Sequence, residues 1–367
     1  MISICFIGDR NIYMKRICNY LAGENYHIHL ICRHDLGIKA EEFDNRITIY
    51  TLRSNRLVKK MMAIKSYLKK NSPDFVHFQY LTKDILLAWF IHRRYRIIAT
   101  PWGSDLNLFS KNLLNRLSIH IGLQHCEKIQ VISEGVKTNL KERYRFINSA
   151  RLYTISWGID YEKFHNTSEN KLAYWREKLN LKGNEIIILS YRNHRPIYNH
   201  HTLIKSLSSL TGQFPALRCF FAQGNFDQDY LNSSKNLVQQ LGLQKTVTFI
   251  DEWIPDDLLP ALINLAHIVV SIPFSDGLPA TLLEIMATRA IPVVGNLPEY
   301  SSFFKAGENG RTLEPLEDSE QLAGILSDCI NNMPVFAERF SSNNNKYIRE
   351  NQNWNLQKER MKELYEH

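Results

Sequence analysis

Residues 271–295 constrain the fold of this chain more than any other segment. An apolar stretch ends at Ile272, a loop with Gly277 and Pro279 follows, and an apolar helix pattern then leads into a second apolar run at 291–294. This order predicts a buried strand, a loop, a helix and a parallel strand. A helix that begins near Pro279 points free N–H groups and the positive end of its dipole at the edge of the sheet. Open α/β sheets bind phosphorylated ligands at that edge.

Two carboxylates lie close to the start of this helix, one in the loop and one in the helix. Asp276 lies ahead of the helix and Glu284 lies on its second turn. Beside a phosphate-binding edge, one carboxylate can bind a group beyond the phosphates and the other can bind a group on the near side. An ordinary strand–loop–helix unit, with Asp276 as the residue that caps the helix, explains the same pattern.

Strand and helix patterns alternate along the whole chain, which predicts parallel α/β sheets. The strands of a first series fall between residues 3 and 156, and those of a second series between residues 185 and 294. Between the two series, the apolar periodicity is lost at residues 157–172, which we expect to form a linker. From residue 334 the pattern is helical to the end of the chain.

The composition excludes several classes of protein. Apolar residues make up 44% of the chain, which is enough for packed cores and unlike a disordered chain. The six cysteines include no C-x-x-C pair and several lie in apolar runs, so we expect reduced, buried thiols. No apolar run reaches the ~18 residues that span a bilayer. The first residues predict a strand rather than a signal peptide, so we expect a cytoplasmic protein.

The spacing of the two carboxylates resembles a known signature. Family 4 glycosyltransferases usually bind their donor with two glutamates that have seven residues between them, in the context Glu-Gly-x-Pro…Glu-Ala-Met-Ala. Here Asp276 and Glu284 have that spacing, with Gly277, Pro279 and Met286 in register. The first position departs from Glu to Asp, which keeps the charge but shortens the side chain.

The resemblance covers the chain almost from end to end and implies an α/β fold of the GT-B type. This fold has two doubly wound, Rossmann-like domains with a cleft between them, and a C-terminal helix that crosses back to the N-terminal domain. For this chain it implies an acceptor-side domain at residues 1–160, a linker at 161–172, a nucleotide-sugar-binding domain at 173–345 and a returning helix at 346–367.

For the donor, the resemblance implies three catalytic residues. Asp276 should hold the hydroxyls of the donor sugar, Glu284 the ribose, and Arg192, at the end of a strand, the diphosphate. The lysine that usually follows five residues later is Ile197 here. Arg195 could supply that charge, since a guanidinium grips phosphate bidentately, or could be a surface charge. The remaining donor-binding positions are Gly224, Gly277, Leu278, Pro279, Ala280 and Thr281. Gly224 could equally belong to a plain tight turn.

On the acceptor side, the segment Thr-Pro-Trp-Gly-Ser-Asp that ends at Asp105 departs from the family. Most members have His-Gly-x-Asp here, and Trp102 replaces the histidine, so this position offers no acid–base group. We interpret Trp102 as a platform on which a sugar stacks and Asp105 as a ligand for a hydroxyl. The structural alternative is that Asp105 caps a helix. The turn with Gly8, Asp9 and Arg10 resembles the family's N-terminal glycine-rich loop, which faces the donor phosphate and the acceptor.

Residues 51–71 carry seven basic side chains and no acid. Apolar side chains from Met61 to Leu68 interleave with them at helical spacing, which is typical of a basic amphipathic helix on anionic lipid. The residues in contact with the membrane would then include Lys59, Lys60, Lys69 and Lys70. A solvated helix with one face in the core explains the pattern as well. No nucleic-acid partner is expected, because neither aromatic stacking residues nor a known reader motif accompanies the charge.

Two patterns imitate metal sites. Asp227 and Asp229 spell the D-x-D of metal-dependent transferases of another fold, and we interpret them as part of a solvated loop. His200 and His201 are adjacent, and neighbouring residues on a helix diverge by about 100° and rarely share a ligand. We therefore expect no metal site.

These features predict a metal-independent, retaining glycosyltransferase of the hexosyl or N-acetylhexosaminyl type. Its donor would be a UDP- or GDP-sugar, bound as substrate without a cofactor. The acceptor would be a lipid-linked glycan or oligosaccharide in the assembly of bacterial surface polysaccharide, such as O-antigen, capsule or lipopolysaccharide. The protein would then lie peripherally at the inner face of the plasma membrane. The alternatives are a non-catalytic GT-B module that scaffolds a partner transferase, and a GT-B nucleotide-sugar epimerase.

Overall fold

The chain divides into two compact units, which a computed structural model describes at residues 1–35, 38–103, 105–106, 112–222, 224–276 and 280–366. The first unit consists of Met1–Trp157 and Asn355–His367, and the second of Gly158–Trp354. In the described residues, no helix combines the length and the apolar character needed to cross a membrane.

The first unit is built on a parallel sheet whose seven strands have the order β3-β2-β1-β4-β5-β6-β7. The order reverses at the neighbours β1 and β4, and in open α/β sheets ligands bind outside the carboxyl ends of the strands at such a switch point. The strands are β1 (Ser3–Arg10), β2 (His27–Asp35), β3 (Thr48–Thr51), β4 (Phe75–Gln79), β5 (Arg96–Thr100), β6 (Lys128–Val131) and β7 (Leu152–Thr154).

Helices cover both faces of this sheet. They are α1 (Ile12–Gly23), α2 (Leu57–Asn71), α3 (Leu87–Ile91), α4 (Leu113–Gln124) and α5 (Glu134–Arg143). Connections between parallel strands are right-handed, and the chain moves in one direction across the sheet from β1 to β3 and in the other from β3 to β7. As a consequence α1 lies on one face of the sheet, while α2, α3, α4 and α5 lie on the other.

The C-terminal helix α14 (Trp354–Glu366) completes the first unit on the α1 face. Tyr365 is buried, and its hydroxyl lies 2.6 Å from Nδ1 of His77 on β4. The Lys128 ammonium donates to the carbonyl oxygen of Leu364 at 2.7 Å. Glu24, the residue after α1, forms an ion pair with Lys362 at 3.0 Å. These contacts confirm the predicted return of the C-terminal helix to the N-terminal half of the chain.

The second unit contains a six-stranded parallel sheet with the order β10-β9-β8-β11-β12-β13. Its strands are β8 (Ile186–Ser190), β9 (Leu217–Ala222), β10 (Val247–Ile250), β11 (Ile268–Ser271), β12 (Ile291–Gly295) and β13 (Arg311–Leu313). The order reverses between β8 and β11, which are paired in parallel. The switch point of this sheet therefore lies at the carboxyl ends of β8 and β11.

The helices of the second unit bury an apolar core against this sheet. They are α6 (Tyr161–His165), α7 (Glu169–Lys178), α8 (His200–Leu210), α9 (Gln228–Gln240), α10 (Leu259–Leu265), α11 (Ala280–Met286), α12 (Ser319–Asn331) and α13 (Met333–Tyr347). Leu207 on α8, Leu326 on α12 and Phe221 on β9 belong to one buried cluster. Residues 161–172, for which a linker was expected, hold α6 and the first turn of α7.

Candidate functional site

The carboxyl ends of β8 and β11 bring Arg192 and Asp276 together. Arg192 follows the last residue of β8 by two positions, and Asp276 follows the end of β11 by five. Arg192 Nη2 lies 2.7 Å from Asp276 Oδ2, and the two side chains are only 8% and 15% exposed. Because the two strands are neighbours at the switch point, this buried ion pair lies where an α/β sheet presents a ligand site.

Two tyrosines complete the surroundings of this ion pair. Tyr300 Oη donates to Asp276 Oδ2 at 3.2 Å, and the Arg192 guanidinium lies 4.5 Å from the ring centre of Tyr198. Burial alone would lower the pKa of Arg192, but the charge of Asp276 outweighs it and the pKa is raised. Burial and Asp276 raise the pKa of Tyr300 well above its ordinary value. At neutral pH Arg192 is therefore a cation and Tyr300 a neutral phenol.

Arg192 keeps one donor for another partner. Its Nη1 atom is buried and has no hydrogen-bond acceptor among the residues that the structure describes. A buried donor without an acceptor is costly, and it is satisfied when an anion binds beside it. The arrangement thus offers a preformed cation at the switch point, with one N–H group for which the described residues supply no acceptor.

Glu284 lies on the second turn of α11, as predicted, and is held from β8. Tyr191, the residue before Arg192, places its hydroxyl 3.0 Å from Glu284 Oε2 and 2.9 Å from the carbonyl oxygen of Thr281. Adjacent residues at the end of one strand thus contact both carboxylates of the motif. Ala280 is the first residue of α11. The three preceding positions of the predicted donor site, Gly277, Leu278 and Pro279, lie outside the described residues.

The other predicted donor residues flank this site. Arg195 is exposed. Gly224 has a φ of +53°, and a Cβ atom there would lie 2.5 Å from Asn193 Oδ1. The same oxygen accepts the N–H of Asn225 at 3.0 Å. A side chain at Gly224 would be strained, because φ is positive and its Cβ atom would displace the Asn193 amide that accepts from Asn225.

In the first unit, Gly8, Asp9 and Arg10 lie at the carboxyl end of β1. They belong to the strand itself, so the turn that the sequence predicted from Gly8 begins only at Asn11, whose side chain caps α1. A Cβ atom at Gly8 would lie 3.2 Å from Cβ of Gln79, so this glycine allows β1 and β4 to approach closely. Asp9 Oδ1 accepts the backbone N–H of His34 at 3.1 Å.

Trp102 follows β5 and lies in an aromatic cluster. The centre of its ring lies 5.6 Å from the ring centre of Tyr13, 5.8 Å from that of Tyr80 and 4.7 Å from that of Trp157. The indole is only partly buried. The cluster thus presents a partly accessible aromatic surface near the switch point of the first sheet.

A buried chain of hydrogen bonds links Trp102 to α14. An indole N–H can only donate, so Gln79 presents its oxygen to Trp102 Nε1, at 3.2 Å, and its amide nitrogen to His77. His77 Nε2 lies 3.1 Å from that nitrogen and Nδ1 lies 2.6 Å from the Tyr365 hydroxyl. Burial lowers the pKa of His77 to about 3, so the ring is neutral and donates from Nδ1. The Thr100 hydroxyl contacts Nε2 as well, at 2.6 Å. The C-terminal helix thus orients Trp102.

Asp105 is a structural residue. Its carboxylate is fully buried and accepts backbone N–H groups of Leu81 at 2.7 Å, Trp102 at 3.0 Å, Gly103 at 2.9 Å and Leu106 at 2.9 Å. Burial raises the pKa of Asp105 to about 6, although these amides favour the charged form. The interpretation of Asp105 as a ligand for a sugar hydroxyl is therefore corrected, because both oxygens are used to hold the loop that carries Trp102.

Comparisons with known proteins agree with this geometry. The family described as "Glycosyl transferases group 1" matches residues 173–347, and "Glycosyl transferase 4-like" matches residues 3–133. The two matches lie in the two halves of the chain, which is a glycosyltransferase of the GT-B type. No curated protein matches it significantly.

Solved structures share the GT-B fold of this glycosyltransferase. The Anabaena protein HepE in complex with UDP has a TM-score of 0.82 at 15% identity, over 99% of both chains. Sucrose-phosphate synthase from Thermosynechococcus elongatus has a TM-score of 0.82 at 18% identity, over 100% of this chain and 98% of the other. WaaG, a glycosyltransferase involved in lipopolysaccharide biosynthesis, has a TM-score of 0.78 at 13% identity, over 100% of each chain. At these identities the likeness establishes the fold.

Neither motif that imitates a metal site is arranged as one. Asp227 is not part of a loop but caps α9 by accepting the N–H of Tyr230 at 2.9 Å. His200 is buried and lies 3.1 Å from the Asn193 carbonyl oxygen, while His201 contacts the Ser233 hydroxyl at 3.1 Å. The described part of the glycosyltransferase contains no cluster of three or more His, Cys, Asp or Glu residues that could hold a metal ion.

Sequence reasoning missed the three tyrosines of the site. Tyr191 and Tyr198 lie close in sequence to Arg192, and Tyr300 follows the end of β12. A usable signal was present, since polar side chains that follow neighbouring parallel strands meet at one edge of the sheet. Which tyrosine contacts which charge depended on tertiary packing and could not be inferred from spacing.

Proposed function

We propose that this chain is a retaining, metal-independent glycosyltransferase that moves a sugar from a nucleotide-sugar to a glycan acceptor. The observation that carries the proposal is the buried pair of Arg192 and Asp276 at the switch point of the second sheet. Glu284 lies on the adjoining helix and is held by the residue next to Arg192. A cation paired with one carboxylate, with a second carboxylate held by the next residue, suits a donor that has an anionic diphosphate in its middle and hydroxyl groups at both ends.

Arg192 is the group proposed to bind the diphosphate. Negative charge grows on the diphosphate as its bond to the sugar breaks, and a prepositioned cation in a buried site stabilises that charge without reorganisation. The buried Nη1 donor supports this role. Arg195 and the N–H groups near Ala280 are assigned to the same diphosphate, and Gly224 is assigned to the nucleotide base. Gly277, Leu278, Pro279 and Thr281 are assigned to the donor as a whole.

The two carboxylates are proposed to bind the ends of the donor. Asp276 accepts hydrogen bonds from hydroxyls of the transferred sugar, and Glu284 accepts them from the ribose. Each carboxylate is already held by a phenol, which orients it. Arg192, Asp276 and Glu284 are therefore the proposed catalytic residues.

The proposed reaction keeps the configuration at the sugar carbon. An acceptor hydroxyl attacks that carbon on the face that the diphosphate leaves, the carbon–oxygen bond to the diphosphate breaks, and a diphosphate oxygen takes the hydroxyl proton. The leaving group thus serves as the base, and none has to be supplied by the chain. Catalysis then rests mainly on electrostatic stabilisation of the leaving diphosphate.

The proposed donor is a UDP- or GDP-sugar of the hexosyl or N-acetylhexosaminyl type. HepE is solved with UDP, with UDP and glucose, and with UDP-glucose, which favours a UDP-sugar over a GDP-sugar. The proposed acceptor is a lipid-linked glycan of bacterial surface polysaccharide, supported by the likeness to WaaG. Trp102 would stack on an acceptor sugar, with Gly8, Asp9 and Arg10 nearby on β1. The reaction would take place at the inner face of the plasma membrane.

Thermal unfolding with a panel of UDP, GDP, ADP, dTDP and their sugars tests this proposal. A ligand at a hundred times its Kd stabilises the folded state by about 2.7 kcal/mol, which raises the midpoint of a unit of this size by about 5–10 °C. We expect such a rise with UDP or GDP, together with slow hydrolysis of the matching nucleotide-sugar when no acceptor is added. Binding without any turnover would favour the scaffold alternative, and release of an epimerised sugar would favour the epimerase. No shift with any nucleotide would contradict the proposal.

Chelation should leave transfer unchanged. The positive charge that the diphosphate needs is supplied by Arg192, which is already paired and buried at the site. Initial rates measured with EDTA and with added Mg²⁺ or Mn²⁺ should therefore agree within about twofold, since no metal-bound charge is lost. If EDTA abolished transfer and Mn²⁺ restored it, Asp227 and Asp229 would have to be reconsidered as ligands.

A further inference from the structure

Three neighbouring helices form one outer layer of the first unit. Right-handed connections place α2, α3 and α4 on the same face of the sheet, and α3 contacts both α2 and α4. We call the exposed side of this layer the three-helix face.

The three-helix face is rich in exposed apolar side chains. Each of seven large apolar side chains is 52% to 78% exposed, and the list is Val58, Met62, Trp89, Phe90, Leu113, Leu114 and Leu117. Among the described residues of the whole chain, eighteen large apolar side chains are exposed, so this one layer carries seven of the eighteen. Scattered apolar residues on a surface are ordinary, but such a concentration marks an interaction surface.

The charge of this face has a single sign. Residues 57–71, 83–95 and 112–125 contain nine basic residues and one acidic residue. The acidic residue, Asp84, is buried and paired with Arg33 at 2.7 Å. The basic residues are Lys59, Lys60, Lys65, Lys69, Lys70, Lys83, Arg93, Arg94 and Arg116. The net charge presented to solvent is therefore positive throughout.

Of the apolar side chains of α2 that the sequence suggested for lipid, Met62 is exposed, whereas others are buried. Ile64 and Leu68 are fully buried, and the Tyr67 hydroxyl contacts His29 Nδ1 at 3.0 Å. Ile64, Tyr67 and Leu68 therefore face the sheet and not the solvent. The exposed apolar groups of α2 are Val58 and Met62, and most of the apolar surface comes from α3 and α4.

We propose that the three-helix face docks the protein on an anionic lipid bilayer. Trp89, Phe90 and the leucines of α4 would enter the boundary between headgroups and acyl chains, and the lysines of α2 would meet lipid phosphates. A protein partner fits less well, because the cores of protein interfaces are depleted of lysine, and here the lysines of α2 lie on the same face as the exposed apolar groups. The inference rests on the proposed function for its lipid-linked acceptor, but the docking itself involves no step of sugar transfer.

Co-sedimentation with vesicles tests the docking. The probes are vesicles of phosphatidylcholine alone and vesicles with about a quarter of phosphatidylglycerol, each at low and high salt. Because exposed charges are screened beyond a Debye length of about 8–10 Å at moderate salt, we expect binding only to the anionic vesicles and a loss of about tenfold or more at high salt. A wild-type protein that stays in solution at low salt would overturn the proposal.

Two sets of variants separate the apolar and the basic contributions. Trp89→Ala with Phe90→Ala, and Gln at positions 59, 60, 69 and 70 in place of lysine, should each weaken vesicle binding by about tenfold or more. The matched control is Trp253→Ala, since this tryptophan of the second unit is 70% exposed and should leave vesicle binding unchanged. If both sets bound as the wild type does, a different surface would be responsible and the proposal would be wrong.

The outcome is separable from that of the proposed function. Vesicle binding is measured without nucleotide, and nucleotide binding by thermal unfolding is measured without lipid. Both variant sets should keep the wild-type response to nucleotide. If the variants lose vesicle binding but keep the nucleotide response, the docking face is supported. If the wild type binds vesicles but no nucleotide, only the proposed function is contradicted.

Discussion

Replacement of Arg192 by alanine should reduce sugar transfer by at least about two orders of magnitude, the usual effect of losing one aimed electrostatic group. The guanidinium is buried and pairs with Asp276 at 2.7 Å, and its Nη1 donor has no acceptor in the described part of the chain. Its removal takes away the positive charge that the leaving diphosphate would meet. Steady-state kinetics with saturating donor should show the loss in kcat.

Loss of Arg192 also leaves Asp276 without its ion-pair partner, and breaking a buried pair costs about 3–5 kcal/mol. Arg192→Lys therefore accompanies the alanine variant, because it keeps the charge beside Asp276 and loses only the forked geometry. Arg311→Ala is the matched control, since Arg311 lies in the same unit and pairs with Asp328 at 2.6 Å. A folded Arg192→Ala protein with near-normal turnover would contradict the assignment of Arg192 to the diphosphate.

Replacement of Tyr365 by alanine should lower the free energy of unfolding of the first unit by about 3–5 kcal/mol, the range for removal of a buried aromatic ring. Tyr365 is 1% exposed and its ring lies 5.5 Å from Phe75 and 6.3 Å from Phe6. The substitution also leaves Nδ1 of His77 without its acceptor. Urea unfolding followed by circular dichroism should show the transition of the first unit at lower urea.

One further variant separates the loss of the ring from the loss of the hydroxyl, and another serves as a control. Tyr365→Phe keeps the ring and removes only the hydroxyl, so it should cost about 1–3 kcal/mol, the penalty of one unsatisfied buried group. Tyr174→Ala, at a tyrosine that is 41% exposed, should change stability by no more than about 0.5 kcal/mol. If Tyr365→Ala unfolded at the same urea concentration as the wild type, the C-terminal helix would not stabilise the first unit.

The sequence predicted most strands because buried parallel strands are near-continuous apolar runs. The strand β13 was missed, since Arg311–Leu313 has three residues of which two are polar. The loop assigned to Asp227 proved to be a helix cap, because an aspartate followed by a polar helix resembles a turn. The apolar stripe of α2 predicted a helix correctly, but the spacing alone does not tell whether a sheet or a lipid covers it.

The candidate site was predicted in part. The motif placed Asp276, Glu284 and Arg192 in one region, and the structure brings the first and the last into an ion pair. Their pairing was not predicted, because it depends on β8 and β11 being neighbours although β9 and β10 lie between them in sequence. The chain of hydrogen bonds from Trp102 to Tyr365 could not be predicted for the same reason, because these two residues are far apart in the sequence.

The return of the C-terminal helix to the first unit has a consequence for biosynthesis. The second unit is one continuous segment, Gly158–Trp354, whereas the first is complete only when Asn355–His367 has been made. Domains generally fold as units while the chain is being synthesised. The N-terminal half of the protein is therefore made first but finished last, and until the final helix arrives the face that holds Phe6 and His77 lacks its cover. A premature stop near residue 354 would spare the second unit and leave the first one open to aggregation and proteolysis.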